Sequence, residues 1–402
     1  MADSQMTIAC ITSYHKGMEF MRACKRMGAK VIFITAEKLR DKNWPWESID
    51  ETFYIPGDQQ HWKMDDVIRG LAHTLRHQKI DKMVALDDFD VEKVAHLREE
   101  FRIPGMGQTQ ARYFRDKLAM RKKASESGIP VPEFTDVFND EVVNEFVKKV
   151  PAPWVLKPRS SASAIGIKKI ESAKQLWEVF QKVGDERHEY VLERFLPGDV
   201  FHVDSLVYDG KIIFARAHQY MNPPMEVAHE GRVFRSYTME YGSDDEVQLQ
   251  EINKNLLKAF GMEMGASHTE FIKHNGKYYF LETSARVGGA NIVEMVEASS
   301  GINLWAEWAK MEIMGGGGVY KLPKVKKDYA GIIVSLAKQQ KPDTSAYNDP
   351  EIYWRKQDMD FHAGLIVSSK KLERVKELLD NYAKRFYQDF FITVPLAEKP
   401  SN

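Results

Sequence analysis

Two glutamates stand twelve residues apart in a segment that has the pattern of a β-hairpin. Glu270 and Glu282 lie in strand-like runs on either side of Asn275-Gly276, a dipeptide typical of a tight turn. A two-residue turn alone would place the two carboxylates on opposite faces of the hairpin. A loop of three or five residues, or a β-bulge, would instead place them opposite each other, roughly 5 Å apart at Cβ.

Two directly opposed carboxylates repel each other unless a cation lies between them. Mg²⁺ prefers oxygen ligands and commonly combines one or two carboxylates with phosphate oxygens. The hairpin therefore indicates a magnesium site that a nucleotide completes, with Ser284 and Arg286 following on the same face. A plain Asn-Gly hairpin with incidental surface glutamates is the alternative, and both interpretations fit the hairpin taken alone.

Earlier segments have features that suit phosphate binding. Lys117 begins a helical stretch, and Lys157 stands at the end of an apolar strand. The small residues of segment 160–166, Ser160, Ser161 and Ser163 among them, could direct backbone N–H groups at phosphates. A strand and turn follow at 193–199. Each segment alone also has an ordinary structural explanation.

In order and spacing these segments resemble the ATP-grasp superfamily over about residues 105–310. The resemblance implies that ATP and two Mg²⁺ ions, with Mn²⁺ as an alternative, are bound. It implies that Lys117 and Lys157 hold phosphates beneath a flap formed by the serines of 160–166, and that adenine contacts Glu193, Arg194, Phe195 and Leu196 while the ribose contacts Asp199. It also implies that the metal ligands are Glu270, Glu282 and Ser284. Arg286 would bind the transferred phosphate or the oxyanion.

Two positions depart from the family pattern. Ser284 occupies a place where the family usually has asparagine, and Val200 stands where a ribose-binding carboxylate is often found.

Within the superfamily, the segments 267–270 and 284–291 look most like carboxylate-amine ligases of the L-amino-acid ligase type. This resemblance implies an ADP-forming ligase that makes an amide or peptide bond through an acyl phosphate. Backbone N–H groups of Gly288 and Gly289 would assist Arg286 at the oxyanion. Another ATP-grasp activity, such as a carboxylase or a nucleotide-precursor ligase, and a non-catalytic ATP-binding protein are the alternatives. The expected substrate-contacting residues are His218, Glu226, Arg232, Arg235 and His268.

The elements that must position these residues follow from hydrophobic periodicity. Apolar strands alternate with helical patterns up to residue 105 and predict an open parallel α/β domain. The expected fold class is α/β and α+β. The N-terminal domain at 1–105 precedes an ATP-grasp small subdomain at 106–187 and a large subdomain with the metal site at 188–314. A small C-terminal α+β cap is expected at 315–402. Four consecutive glycines beginning at Gly315 suggest a hinge before the cap.

Composition limits the function classes. Lys plus Arg number 57 and Asp plus Glu number 58, so the chain lacks the positive field that collects nucleic-acid phosphates. Cys10 and Cys24 have neither metal-ligand spacing nor the numbers for a disulfide framework. No run approaches the roughly 18 apolar residues of a membrane span, and no secretory pattern opens the chain. We expect a cytoplasmic protein that binds small-molecule carboxylate and amine substrates and has no nucleic acid or membrane partner. The sequence leaves open whether it forms a homodimer.

Overall fold

The N-terminal part of the chain forms a four-stranded parallel sheet with helices on its faces. The computed structural model describes residues 5–57, 61–161 and 165–393, without the side chains of 228–230. This part contains β1 (Thr7–Thr12), α1 (Met18–Arg26), β2 (Lys30–Ala36), β3 (Glu51–Ile55), α2 (Met64–Leu75), β4 (Lys82–Ala85) and α3 (Val91–Phe101). The strand order is β3-β2-β1-β4. Every residue of β1 is buried, as expected of a central parallel strand covered on both faces.

A second, small sheet follows. Its elements are α4 (Gln108–Arg112), α5 (Lys117–Glu126), β5 (Phe134–Asp136), α6 (Asp140–Lys149), β6 (Trp154–Pro158), β7 (Lys168–Ile170), α7 (Ala173–Val183) and β8 (Tyr190–Arg194). The strands are antiparallel in the order β5-β8-β6-β7. Because β8 lies in the middle of this sheet, the predicted subdomain boundary at residue 187 falls too early.

The remaining strands form one antiparallel sheet of eight. The elements are β9 (Asp199–Tyr208), β10 (Lys211–Tyr220), α8 (Pro224–Glu230), β11 (Phe234–Thr238), α9 (Asp244–Ala259), β12 (Gly265–His274), β13 (Lys277–Ser284), α10 (Ile292–Ser300), α11 (Leu304–Met314), β14 (Tyr329–Leu336), β15 (Ile352–Arg355), β16 (His362–Ser369) and α12 (Leu372–Asp389). The order is β13-β12-β9-β10-β11-β14-β16-β15.

Among the described residues, no helix is long and apolar enough to cross a membrane.

The C-terminal strands therefore extend the large sheet, and the expected separate cap is wrong in that respect. Strand β14 pairs with β11 on one side and β16 on the other. Ile332 and Ile333, which point to opposite faces of β14, are both fully buried. A strand buried on both faces must lie inside a sheet, which explains why these residues join the large sheet.

The N-terminal sheet is fixed to the large sheet through α1 and α11. Phe20 on α1 packs edge-on against Trp308 on α11, with ring centroids 5.1 Å apart. Both residues belong to one buried cluster that also includes residues of β9 and β12. This packing brings the carboxyl ends of the parallel strands next to the β12-β13 hairpin.

The hairpin combines a two-residue turn with a bulge. Asn275 and Gly276 have φ values of 49° and 77°, the left-handed pair that a tight turn requires. The register set by this turn continues to the pair of Phe271 and Phe280, and then shifts by one residue so that Glu270 lies opposite Glu282. The extra residue in β13 therefore places both carboxylates on one face, which is the bulged alternative that the sequence left open.

The connection from β8 to β9 lies tightly against β12. A Cβ added at Gly198 would be 2.1 Å from the carbonyl oxygen of Lys273. Only glycine allows the two backbones to approach this closely.

We predict that Gly198→Ala lowers stability by about 1–3 kcal/mol, because the added methyl group forces the connection away from β12. The measurement is the urea midpoint of unfolding. Gly70→Ala is the matched control: a Cβ at this position in α2 meets no atom within 4 Å, and alanine favours the helix by roughly 0.5–1 kcal/mol. Equal midpoints for the two variants would contradict the close approach.

Candidate active site

A cavity of about 470 Å³ lies where the two antiparallel sheets and the N-terminal sheet meet. Asp88 reaches it from the end of β4, and residues of the β8-β9 connection form one wall. The predicted residues that line it are Lys117, Lys157, Ser161, Glu193, Arg194, Phe195, Leu196, Glu226, His268, Glu270, Glu282, Ser284, Arg286 and Gly289. Segments far apart in the sequence thus contribute to a single cavity.

Other predicted site residues lie elsewhere. Ser160 is exposed, and its carbonyl oxygen accepts a hydrogen bond from Arg115 at 2.5 Å. Asp199 is exposed at the start of β9 and does not line the cavity. Ser163 falls outside the described residues. Ser160 and Asp199 therefore give no structural support to the contacts predicted for them, whereas Ser161 of the predicted flap does line the cavity.

The two glutamates of the hairpin have different immediate partners. Glu270 accepts a hydrogen bond of 2.7 Å from the Tyr220 hydroxyl, whereas Glu282 lies 2.8 Å from Nζ of Lys117. Burial would raise the pKa of Glu270, but contacts with His268 and Tyr220 lower it, so the carboxylate is charged. With the Ser284 hydroxyl beside them, these oxygen donors fit a hard divalent cation such as Mg²⁺.

The first lysine is held at the start of a capped helix. Asp116 is the N-cap of α5, where its carboxylate accepts the backbone N–H of Leu118 at 3.0 Å and pairs with Arg159. Lys117 therefore occupies the first helical position, with its ammonium group also donating to the Ser161 carbonyl at 2.8 Å. Its side chain is directed at the cavity, where an incoming phosphate would compete for it.

The second lysine belongs to a buried ion triad. Glu193 lies 2.9 Å from both Lys157 and Arg121, and its side chain is only 1% exposed. Burial would raise the pKa of Glu193, but these two cations lower it to about 2. The Glu193 carboxylate thus holds the two cations in place.

Arg286 joins the hairpin to the N-terminal sheet. Its guanidinium group donates to Asp88 through Nε at 2.9 Å and through Nη2. Burial of Asp88 opposes the negative charge of its carboxylate. The nearby cations Arg286, Arg115 and Lys16 nevertheless hold the pKa of Asp88 well below its usual range. The sequence analysis missed Asp88 as a site residue, although its place after an apolar parallel strand is typical of ligand-binding positions.

The segment after Arg286 turns sharply beside the cavity. A Cβ at Gly288 would lie 3.0 Å from an oxygen of Asp204, so this glycine packs over the sheet and does not line the cavity. Gly289 has open space beside it, and Ala290 and Asn291 have φ values of 49° and 63°. Of the two predicted oxyanion donors, Gly289 is the one beside the cavity.

The two predicted histidines occupy different positions. His268 stands at the edge of the cavity, with Nδ1 2.9 Å from Asp204. Burial opposes its protonation, but Asp204 and Glu270 raise the pKa of His268 to about 9. His218 is fully buried behind the cavity, where burial lowers its pKa to about 4. The prediction that His218 contacts a substrate is therefore wrong in this structure.

The predicted arginines are also paired outside the cavity. Arg232 lies 3.2 Å from Glu226, and Arg235 lies 2.8 Å from Asp380 on α12. Neither arginine lines the cavity, whereas Glu226 does. Arg235 is held because β11 carries it beneath the C-terminal helix, a contact that the sequence could not reveal.

Comparison with protein families gives a direct match. The model of the ATP-grasp domain matches residues 114–290, a range that contains both lysines, both hairpin glutamates and Arg286. The chain contains an ATP-grasp domain. Its fold combines α/β and α+β parts, with the parallel sheet in the N-terminal region.

Relatives and solved structures extend this result. The chain is 26% identical to the L-arginine-specific L-amino acid ligase of Bacillus subtilis over 58% of each protein. It is 25% identical to a D-alanine–D-alanine ligase of Christiangramia forsetii over 50% of this chain and 65% of the relative. The alignments thus span less than two thirds of these relatives. An L-amino acid ligase structure from Bacillus licheniformis shares the fold, with a TM-score of 0.73, 17% identity, and coverage of 97% of this chain and 98% of that one.

We predict that Glu193→Gln destabilises the protein by roughly 3–5 kcal/mol, because it leaves Arg121 and Lys157 buried without a counter-charge. The measurement is the urea midpoint at neutral pH. Glu133→Gln is the control, since its pair with Arg194 is exposed and should be worth less than about 1 kcal/mol.

The pH dependence gives a second test of this triad. The pKa of Glu193 is lowered from 4.5 to about 2, so its stabilising contribution is complete above the ordinary carboxyl pKa and is lost as pH falls toward 2. The difference between wild type and Glu193→Gln should therefore shrink as pH falls from 4.5 to 2. A difference that stays constant over this range would contradict the ion triad.

Proposed function

We propose that the protein is an ATP-dependent ligase that joins the carboxylate of one small molecule, an amino acid, to the amine of another and releases ADP and phosphate. The observation that carries this proposal is the opposed pair of Glu270 and Glu282 in one cavity with Lys117, Lys157 and Arg286. Similarity to an L-amino acid ligase and to D-alanine–D-alanine ligases supports this reaction class.

The first step transfers a phosphoryl group. An oxygen of the substrate carboxylate attacks the γ-phosphorus of ATP, the bond to the bridging oxygen breaks, and ADP leaves. Lys117 and Lys157 neutralise phosphate charge and hold the nucleotide in line with the carboxylate. Two magnesium ions held by Glu270, Glu282 and Ser284 would supply further charge neutralisation.

The second step forms the amide. The neutral amine attacks the acyl carbon, phosphate leaves with the C–O electron pair, and the amine nitrogen passes a proton to the departing phosphate. Arg286 and the backbone N–H of Gly289 stabilise the oxyanion of the tetrahedral intermediate, a contribution of about 2.7–4 kcal/mol per donor. The cavity walls must exclude water, because water would hydrolyse the acyl phosphate.

The direct test is release of ADP and phosphate with pooled amino acids, together with mass detection of the condensation product. We expect amino-acid-dependent turnover in the wild type and a loss of at least about 100-fold in Glu282→Ala, which removes a metal ligand. Glu251→Ala, an exposed position on α9, is the matched control and should keep full activity. Equal background turnover in wild type and Glu282→Ala would reject the ligase function, and turnover that needs bicarbonate would indicate a carboxylase.

Asp88 provides a further prediction, because it orients Arg286 through two hydrogen bonds. Asp88→Ala removes the carboxylate and with it the single oxygen that accepts both hydrogen bonds, so Arg286 loses its fixed position at the oxyanion. We expect kcat to fall about 10- to 100-fold. The KM for ATP should change little, since Asp88 contacts neither lysine. An increased KM for ATP with unchanged kcat would contradict this positioning role.

A further inference from the structure

A row of polar side chains continues from the metal hairpin into the interior of the large sheet. On β12, Glu270 is in register with His202 on β9, and His202 is in register with His218 on β10. Asp204 follows His202 by two residues and therefore lies on the same face. His202, Asp204 and His218 are all 0% exposed. This buried group, here called the His-Asp-His cluster, lies outside the cavity lining.

His218 is incompletely satisfied in this cluster. Its Nδ1 is 3.4 Å from Asp204 Oδ2, and within the described part of the chain neither ring nitrogen has a hydrogen-bond partner. Buried polar atoms almost always have a partner, either in the protein or in a bound species. The free nitrogen lone pair of His218 thus points to a missing ligand.

The second histidine has the surroundings of a metal ligand. His202 Nε2 is 2.8 Å from the hydroxyl oxygen of Ser236, and that hydroxyl can donate to the carbonyl of Gln219 at 3.2 Å. With the hydroxyl so directed, His202 donates through Nε2, and its Nδ1 lies 2.7 Å from Asp204 Oδ2. A proton on Nδ1 makes this contact a hydrogen bond, and a metal ion that replaces the proton would be held by the same two atoms. Metal-bound histidines commonly donate their second N–H to a neighbouring oxygen in this way.

We propose that His202, Asp204 and His218 bind a divalent transition-metal ion of the zinc class as a structural site behind the reaction cavity. One donor atom from each residue lies within 4.8 Å of the other two. Zinc bonds of about 2.0–2.2 Å place neighbouring tetrahedral ligands about 3.3 Å apart. The distance of 3.4 Å between His218 and Asp204 already matches, and the shorter distance to His202 requires a small side-chain rotation.

The donor chemistry separates this site from the glutamate pair. Two imidazoles and one carboxylate favour zinc-class ions, whereas an all-oxygen set favours Mg²⁺. An ion in the cluster would cross-link β9 to β10 directly behind Glu270. Because the three residues are buried, the ion enters during folding. Its role is therefore to stabilise the strands that support the catalytic hairpin.

The test is metal analysis of the full chain expressed in medium with added Zn²⁺ and purified without chelator. We expect about one zinc per chain in the wild type and in Glu282→Gln, which alters only the magnesium site. His202→Gln and His218→Gln should each reduce bound zinc at least about tenfold. His274→Gln, an exposed histidine of the hairpin, is the control and should keep its zinc. This measurement needs no substrate, so its result is independent of the ligase activity.

Two outcomes would overturn the proposal: a wild type that contains almost no zinc, or zinc that is lost in Glu282→Gln and kept in the histidine variants. If the histidine variants fail to fold, protein expressed with Co²⁺ decides the question. The intense visible absorption of tetrahedral Co²⁺ with nitrogen ligands would support the site. A weak octahedral spectrum typical of oxygen ligands would place the metal on the glutamates and overturn it.

Discussion

The bulge in β13 is the constraint on which the candidate active site depends. Side chains in a strand alternate between faces, so one extra residue decides whether Glu282 lies beside Glu270 or on the opposite face of the sheet. The Asn-Gly turn alone produces the second arrangement. The shift after Phe280 corrects the register just before the catalytic positions and allows a tight, stable turn to coexist with a shared carboxylate site. In this register Glu282 lies on the cavity side and forms an ion pair with Lys117.

Three cations of the site each have a carboxylate partner in this structure. Lys117 pairs with Glu282, Lys157 with Glu193, and Arg286 with Asp88. The three pairs differ in burial: Glu193 and Asp88 are almost completely enclosed, whereas Glu282 is one-third exposed. Enclosed pairs keep their geometry, so Lys157 and Arg286 are positioned before any ligand binds. In the proposed reaction, Lys117 would exchange Glu282 for a phosphate when a metal ion binds Glu282.

Local patterns predicted the parts of this site that depend on neighbouring residues in the sequence. The parallel N-terminal sheet, the hairpin and the positions of Lys117 and Lys157 follow from hydrophobic periodicity, an Asn-Gly turn and helix and strand ends. The resemblance to the ATP-grasp superfamily then assigned roles to these residues, and the family model confirmed an ATP-grasp domain at residues 114–290. The roles of individual residues stay predictions.

The errors arose where burial depends on distant segments. His218 and Arg235 have residue types suited to substrates, but β10 lies between β9 and β11, and β11 lies inside the large sheet because β14 joins it from the C-terminal side. The Asp88 contact depends on the packing of the N-terminal sheet against the hairpin, across almost two hundred residues of sequence. The proposed zinc ligands give no spacing signal either, because they come from three positions on two neighbouring strands.

The continuous large sheet also has a consequence for the order in which the protein can fold. Strand β11 has one edge without a partner until β14, about a hundred residues later, has been synthesised. An unpaired edge exposes backbone hydrogen-bonding groups and invites pairing with other chains. Pairings this distant in sequence form slowly, because the intervening loop must first be closed. The nascent chain therefore carries all of the candidate site residues before it can complete the sheet that supports them, and during this interval the open edge of β11 is exposed to aggregation.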